Sequence, residues 1–224
     1  MTNTRFSARS DEDVTRFITA HPLAFVVTGG GGHVDTTLLP LRPEQIDAGR
    51  IATLTGHYPR ANPQVAQLQA EPRASLLFLG PHGYVSPSWF ADRTQAPTWN
   101  YASANLDVRI EFLDTPEDLD RIVRDLVDAM ENGRERPWSV DEMHARYAQL
   151  LQRIVPFRAT VLDIRAKFKL GQDERDDTFP EILHGLEQDE LGRREHLAHA
   201  VRARFRDQRL DRLACQQARH AHGV

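Results

Sequence analysis

Apolar residues along this chain recur at two spacings, which divide it into short strands and short helices. Alternating or continuous apolar runs predict six strands, at residues 23–28, 34–41, 51–55, 74–79, 99–110 and 157–168. Helical spacing predicts helices over residues 10–20, 115–132, 139–154 and 179–186, and one that starts at residue 63. The strands follow one another too closely for parallel βαβ units. We therefore predict an α+β fold, a small six-stranded β-barrel decorated with helices.

Most of the predicted helices begin with residues that cap helices well. The predicted caps are Ser10, Asn62, Thr115 and Ser139, the last in a capping box with Glu142. A proline follows Asn62 at the first helical position, which is a favoured place for proline. Residues 56–61, GHYPRA, are predicted to form a loop that leads into this helix.

The most distinctive stretch is aromatic and runs over residues 80–101, GPHGYVSPSWFADRTQAPTWNY. It holds two of the three tryptophans and two of the four tyrosines, on prolyl segments whose φ angle is restricted. Two interpretations are open. The rings plug one end of a barrel, or they form a wall against which a flat ligand lies.

The C-terminal part differs in character from the rest of the chain. Beyond Leu191 there are eight arginines against three acids, and Leu197, Val201 and Phe205 lie on one face of a predicted basic helix. We expect this helix to pack on its own domain or on a partner subunit; DNA binding is the alternative. The predicted organisation is a barrel domain over residues 1–172 and a helical extension over residues 173–224.

Composition narrows the possible functions. The chain has 224 residues, of which 40% are hydrophobic and 27% charged, enough to bury a core. A formal net charge of −4 argues against general nucleic-acid binding. The one cysteine, Cys215, excludes an internal disulfide and a cysteine-cluster metal site. No signal peptide is recognised and no apolar run reaches the ~18 residues of a membrane span, so we expect a cytoplasmic protein.

Two polar clusters are candidates for chemistry. His57 is followed closely by Arg60 and Asn62, so a ring nitrogen, a guanidinium and the start of a helix would suit an anion such as a phosphate or a propionate. A structural, hydrogen-bonded histidine is the alternative, as it is for His33, His82 and His144. The second cluster lies beside the end of a strand and consists of Lys167, Lys169 and Gln172. It suits an anion or substrate contact, or else an edge strand protected by lysines.

Five segments together resemble the PaiB-type proteins of the FMN-binding split-barrel family. They are GHYPRANPQ, GPHGYVSPSWF, APTWNY, RPWSVDE and RAKFKLGQ, in that order, and the similarity extends from about residue 23 to 185. The resemblance implies a six-stranded split barrel, a homodimer and a cofactor cleft between subunits. That cleft would be built from the GHYPRAN loop, the aromatic stretch and the K-x-K-L strand.

The chain departs from this family pattern at two places. Residues 105–108 read NLDV where the family usually has His-Val-Tyr-Gly, and residues 169–173 read KLGQD where it has K-L-S-Q-N. A lost hydroxyl and an added carboxylate are unfavourable beside a flavin phosphate. The departures favour the branch that is similar to the heme b-dependent piperazate synthases, which close N5-hydroxy-L-ornithine into a cyclic hydrazine.

This resemblance implies roles for particular residues. His57 would ligate the heme iron, and the other predicted cofactor contacts are Arg60, Asn62, Tyr84, Trp89 and Trp99. Asp107 would deprotonate the substrate amine, while Lys167 or Lys169 would hold the substrate carboxylate. The alternatives are an FMN-binding sensor or transcriptional regulator of PaiB type without turnover, and a DNA-binding regulator that uses the basic terminal helix.

Overall fold

The computed structural model describes residues 4–30, 32–175, 177–189 and 198–203. The strands are β1 Leu23–Gly30, β2 His33–Pro40, β3 Arg42–Asp47, β4 Arg50–Pro59, β5 Arg73–Val85, β6 Thr98–Phe112 and β7 Ile154–Lys169. The α-helices are α1 Asp11–Ala20, α2 Pro63–Ala70, α3 Pro116–Glu131, α4 Ala145–Leu151 and α5 Phe179–Gln188. Short 3-10 helices cover Thr4–Phe6, Pro87–Trp89 and Val140–Met143. The predicted α+β class is confirmed.

The described strands form one sheet with the order β2-β1-β5-β6-β7-β4-β3. Strand β1 is antiparallel to β2 and β5, and β4 is antiparallel to β3 and β7. The sheet thus has seven strands, whereas the sequence predicted six. The additional strand is β3, an edge strand of sequence RPEQID whose pairing with β4 is irregular. Its polar residues show no alternation, so no periodic signal marked it.

Three predicted helix caps are confirmed by their hydrogen bonds. Ser10 Oγ accepts from the N–H of Asp13 at 3.2 Å, and Asn62 Oδ1 accepts from Gln64 N–H at 2.9 Å. Thr115 Oγ1 accepts from the N–H three residues further on, at 3.1 Å. These bonds satisfy N–H groups that a helix leaves unpaired in its first turn.

The helix predicted over residues 139–154 is wrong in its extent. The capping box of Ser139 and Glu142 is present, but it starts a 3-10 helix, Val140–Met143. His144 then adopts φ +47° and separates this short helix from α4. Ile154 belongs to β7. Capping residues mark where a helix starts, but they do not fix its length.

The loop predicted for GHYPRA is also wrong, because β4 continues to Pro59. In the register of β4 with β7, His57 lies opposite Pro156 and Tyr58 lies opposite Val155. Tyr58 is fully buried, with its ring centroid 5.2 Å from that of Phe157. Burial of this ring in the core holds the strand in place beyond the short apolar run that the sequence indicated.

Backbone contacts divide the described chain into two compact units. One comprises Arg9–Phe78 and Ala104–Arg165. Its most deeply buried large side chains include Ile18, Leu54, Tyr58, Leu76, Leu106 and Phe157. The other comprises Leu79–Ser103 with the described residues of Met1–Ala8 and Ala166–Val224, and it buries Ile182 and Leu186 of α5. The predicted boundary at residue 172 stays a prediction.

Only a short piece of the predicted basic C-terminal helix lies within the described residues. Residues 198–203 are helical, and Val201 is buried. Leu197, Phe205 and Cys215 lie outside the described part of the chain. No helix in that part is long and apolar enough to cross a membrane.

A carboxylate shared by several elements ties α3 to the sheet. Glu44 on β3 accepts from Arg158 Nε at 2.6 Å and Nη2 at 3.0 Å, and it pairs with Arg121 of α3 at 3.1 Å. Thr53 donates its hydroxyl to the same carboxylate at 3.2 Å. The hydrogen bonds from Arg158 are the main reason why the pKa of Glu44 lies below its ordinary value. The ionised form is therefore favoured by folding.

We predict that Glu44→Gln lowers the free energy of unfolding by about 1–3 kcal/mol at pH 7, since charge-assisted bonds to both arginines are lost. The contribution of Glu44 is fully present above the ordinary pKa of a glutamate and is lost as the pH falls through its lowered pKa. Urea unfolding at pH 7 and pH 3 measures both effects. The exposed Glu135→Gln serves as the control. A variant as stable as the parent at pH 7, or a deficit that does not decrease as the pH is lowered, would contradict the assignment.

Candidate functional site

His57 is the predicted site residue with an unusual environment. The side chain is half-buried on β4, and its Nδ1 is buried without a hydrogen-bond partner in the described structure. Burial lowers the pKa of this imidazole, because desolvation disfavours the charged form. A neutral ring with an unpaired nitrogen is the form in which histidine binds metals.

A narrow cavity adjoins His57. Its walls are Pro40, Arg42, Thr55, Gly56, His57, Ile122 and Leu126, and it has no room for a water molecule. A Cβ at Gly56 would overlap the side-chain end of Leu41 and approach the ring of Phe157, so a larger residue there would force Leu41 to move. Arg42 was missed from the sequence because it lies on β3, whose residues carry no periodic pattern. It is the charged residue of this lining.

Arg60 and Asn62, the predicted partners of His57, have structural contacts of their own. The Arg60 guanidinium donates from Nε to the carbonyl of Gln152 at 3.1 Å and from Nη2 to that of Ile154 at 2.8 Å. Asn62 caps α2 and donates from Nδ2 to Thr37 Oγ1 at 3.0 Å. Arg60 does not line the cavity beside His57. Contacts of either residue with a cofactor stay predictions.

Three rings of the aromatic stretch lie side by side on β5 and β6, which are neighbours in the sheet. The ring centroid of Trp99 is 6.1 Å from that of Tyr84 and 6.4 Å from that of His82, and the His82 ring is stacked. Tyr84 is 43% exposed and Trp99 48% exposed. The pair therefore forms an open aromatic surface within its unit.

Trp89 is not part of that open surface. It lies in the 3-10 helix Pro87–Trp89, and its indole packs against Gly185 of α5 so closely that a Cβ at position 185 would overlap the ring. The main-chain N–H of Ala91 also bonds to Glu181 of α5, at 3.2 Å. Helix α5 thus covers Trp89 with residues of the same chain.

The lysine pair is in contact with aromatic-stretch residues. Lys169 Nζ donates to the carbonyl of Trp99 at 3.0 Å and to the hydroxyl of Thr98. Lys167 Nζ lies 5.5 Å from the ring centroid of Tyr101. β7 lies between β6 and β4 in the sheet, but its pairing with β4 ends at Thr160, so the alternative of a protected edge strand at Lys167 and Lys169 stays a prediction. Gln172 closes the turn after β7 by accepting from Leu170 N–H at 2.6 Å.

Asn100 is a buried polar residue that the sequence reasoning missed. It is fully buried on β6, and neither atom of its amide has a partner in the described structure. Gly171, at φ +83°, lies beside it, and a Cβ there would be 3.7 Å from Asn100 Nδ2. The sequence could have predicted the burial of Asn100, because alternate residues of β6 face the core and Ala102, Ala104 and Leu106 lie on the same buried face.

Asp107, the predicted base, is held in an ion pair. Its carboxylate accepts from Arg165 Nη2 at 3.0 Å and from Ser75 Oγ at 3.1 Å. The hydrogen bond from Arg165 is the main cause that lowers the pKa of Asp107. A carboxylate with a lowered pKa is a weak base, so this geometry favours a structural role over proton abstraction.

The other histidines within the described part of the chain show no grouping that indicates a metal site. His33 and His144 are exposed, and His82 Nδ1 bonds to the carbonyl of Gly80 at 3.1 Å. Within the described ranges, no three His, Cys, Asp or Glu residues are arranged to hold a metal ion. A metal bound at His57 would thus have one histidine as its protein ligand, which is sufficient for the iron of a heme.

The structure brings together some predicted residues and not others. Tyr84, Trp99 and Lys169 belong to one compact unit, where Trp99 contacts both of the others. His57 and Arg60 belong to the other unit, where they line different cavities.

Comparisons with known proteins agree on the kind of protein. Residues 1–163 match the family described as "Putative FMN-binding domain". "Protease synthase and sporulation protein PAI 2" of Bacillus subtilis is 26% identical over 204 residues, which cover 91% of this chain and 97% of that protein.

Several similar solved structures, including the next two, have TM-scores above one half. The flavocytochrome Anf3 from Azotobacter vinelandii has a TM-score of 0.57 and 20% identity, over 80% of this chain and 78% of that one. The FAD and heme binding protein from Mycobacterium smegmatis has a TM-score of 0.56 and 18% identity, over 80% of each chain. At these identities the structures show a shared fold. The predicted split-barrel fold is confirmed.

We predict that Gly185→Ala displaces α5 from Trp89, because the added Cβ has no space. The expected cost is about 1–3 kcal/mol in the free energy of unfolding. In a background with Trp99→Phe and Trp138→Phe, Trp89 is the remaining indole, and its emission should shift to the red. Gln188→Ala, at an exposed position of α5, is the control. Unchanged emission and stability would contradict the close packing.

Proposed function

Because the chain belongs to the family of FMN-binding split-barrel domains, we propose that it is a heme b-binding member in which His57 is the iron ligand. The proposed activity is the cyclisation of N5-hydroxy-L-ornithine to L-piperazate. The predicted family is confirmed, and the heme-dependent branch is the proposal.

The observation that carries the proposal is the state of His57. Its imidazole is kept neutral by burial and retains an unpartnered ring nitrogen. A buried polar atom without a partner costs about 1–3 kcal/mol, and a bound group that used the ring would offset that cost. A single neutral histidine is a sufficient protein ligand for heme iron. The cavity beside His57 has no room for a water molecule, so a porphyrin would have to bind outside that cavity or open it.

The fold supports the proposal in general terms. The flavocytochrome and the FAD and heme binding protein share the fold, and both are named for a heme as well as a flavin. The departures at residues 105–108 and 169–173 reduce the fit to a flavin phosphate. That Tyr84, Trp89 and Trp99 also contact the cofactor stays a prediction.

The reaction needs no external oxidant or reductant. The N–N bond forms as the N–O bond of the hydroxylamine breaks, and water leaves with a proton from the substrate amine. Heme iron, when bound, would supply Lewis acidity toward the hydroxylamine. The protein has to hold the carboxylate and take up the proton. Lys169 and Lys167 remain the proposed carboxylate contacts, whereas the ion pair of Asp107 makes it a poor base.

An FMN-binding sensor without turnover is the second candidate. It is favoured by the description of the matching family and by the open aromatic surface of Tyr84 and Trp99, on which a flat ring system would stack. The two candidates differ in one directly visible property, the absorption spectrum of the purified protein.

We predict that the purified chain, given hemin, shows a Soret band and that His57→Ala loses it, since the iron ligand is removed. Titration with hemin followed by absorption measures the change. His33→Ala is the matched control, because His33 is exposed and distant in the sequence from the proposed ligand. The loaded parent, but not His57→Ala, is expected to convert N5-hydroxy-L-ornithine to piperazate, detected by mass spectrometry.

A protein that is purified yellow, with a flavin spectrum and no hemin response, would refute the heme proposal. A Soret band that survives His57→Ala would refute the ligand assignment. Heme binding without turnover would refute the cyclase activity alone.

We also propose a homodimer, with small amino-acid substrates as partners and no nucleic acid. Its support is a row of exposed apolar side chains across β2, β1 and β5. Phe25 lies opposite both Leu38 and Leu77, and these residues are 47%, 47% and 38% exposed. Directly opposite residues share one face of a sheet, so the row is continuous. Contiguous apolar surface of this kind is typical of subunit interfaces.

We predict that Phe25→Glu converts the dimer to a monomer, because a charge would be buried in the apolar row. Size-exclusion chromatography with light scattering at micromolar concentration measures the mass. Ile46→Glu, on an exposed apolar residue of β3 at the other edge of the sheet, is the control. A monomeric parent, or a Phe25→Glu variant that stays dimeric, would contradict this interface.

A further inference from the structure

A second cavity in the same unit, the Arg60 pocket, is not used by the proposed function. It has a volume of about 550 Å³, which is in the range of small-molecule sites. Most of its walls are apolar and come from the end of β6, the start of α3, α4 and the start of β7. They are Phe112, Leu113, Pro116, Leu119, Ala148, Leu151, Val155 and Pro156.

The polar end of the pocket is a guanidinium with a fixed orientation. Nε and Nη2 of Arg60 each donate to a main-chain carbonyl, those of Gln152 and Ile154. The main-chain N–H of Arg60 also donates to the carbonyl of Arg153, at 2.8 Å. Across the described part of the chain, this guanidinium forms no ion pair with a carboxylate. Its positive charge is thus held in place and not neutralised, and Nη1 is available as a donor.

The pocket is separate from the cavity beside His57. The two linings share no residue. Pro156 lines the Arg60 pocket and lies opposite His57 in the pairing of β4 with β7, but His57 itself is not part of that lining. The separation of the Arg60 pocket from the proposed iron ligand thus rests on the two linings.

We propose that the Arg60 pocket binds a small apolar monocarboxylate, with its carboxylate on Nη1 of Arg60 and its apolar body against α3 and α4. Planar guanidinium groups suit carboxylates, and the apolar walls suit a hydrocarbon or ring. Asp114 also lies in the lining and is the acidic residue there. It repels a second anionic group, so the pocket selects a monocarboxylate over a dicarboxylate. This assigns Arg60 to a ligand other than a heme propionate.

The test uses three ligands of equal chain length on the full, heme-free protein. Isothermal titration calorimetry is expected to show binding of decanoate, with weaker binding of decanol, which lacks the charge, and of sebacate, which has two carboxylates. Arg60→Gln should weaken decanoate binding by about 10-fold or more, since a charge-assisted contact is lost. Ala148→Phe, which fills the pocket and leaves Arg60 intact, should weaken all binding.

The control is Arg153→Gln, at an exposed arginine that does not line the pocket, and it should bind decanoate as the parent does. The proposal is overturned if decanoate does not bind, if decanol binds as tightly, or if Ala148→Phe has no effect. It is also overturned if hemin displaces decanoate from the parent protein in a manner that depends on Arg60, because the occupant would then be a tetrapyrrole. The heme proposal is tested separately by the spectrum, so either can fail alone.

Discussion

The pairing of β4 with β7 is the constraint on which both cavities of the larger unit depend. Tyr58 is buried against Phe157, with its hydroxyl directed to Gln64 at 3.2 Å, so it can face only the core. His57 must then project from the opposite face. A slip of one residue would exchange the two side chains and bury the imidazole in place of the phenol. At the end of the same pairing, the carbonyls of residues 152 and 154 orient Arg60.

In the larger unit, a buried polar atom without a hydrogen bond is conspicuous, because neighbouring buried polar groups have hydrogen-bond partners. Gln64 is buried, and the two N–H groups of its Nε2 are shared among the carbonyls of Val26 and Asp35 and the hydroxyl of Thr28, all within 3.1 Å. His57 Nδ1, in the same strand as Tyr58, has no such partner. Asn100, in the other unit, has both amide atoms unpaired. Buried polar groups without hydrogen bonds reduce stability, and functional sites are where proteins most often contain them, because a bound ligand can pair with them.

The type of a residue predicted its role less well than its hydrogen-bond and ion-pair partners in the structure did. Lys169, Asp107 and Asn62 were plausible chemical groups by sequence, yet each is bound to another part of the protein. Arg60 is also bound, but only to neutral carbonyls, which orient its charge without cancelling it. That difference separates a residue that completes the fold from one that is available to an anion.

The sequence alone determined the class of the fold, three helix caps, the regular strands and the family, because these depend on local periodicity and on short motifs. It did not reveal β3, whose residues are polar, or the break at His144, which depends on one unusual backbone angle. It placed His57 and Arg60 together because they are close in the chain. Only the tertiary structure separated them, since His57 lies within β4 beside one cavity, whereas Arg60 lies beyond the end of that strand and is oriented by the carbonyls of Gln152 and Ile154 in the lining of another. The long-range pairing with β7 decides this, and no local pattern encodes it.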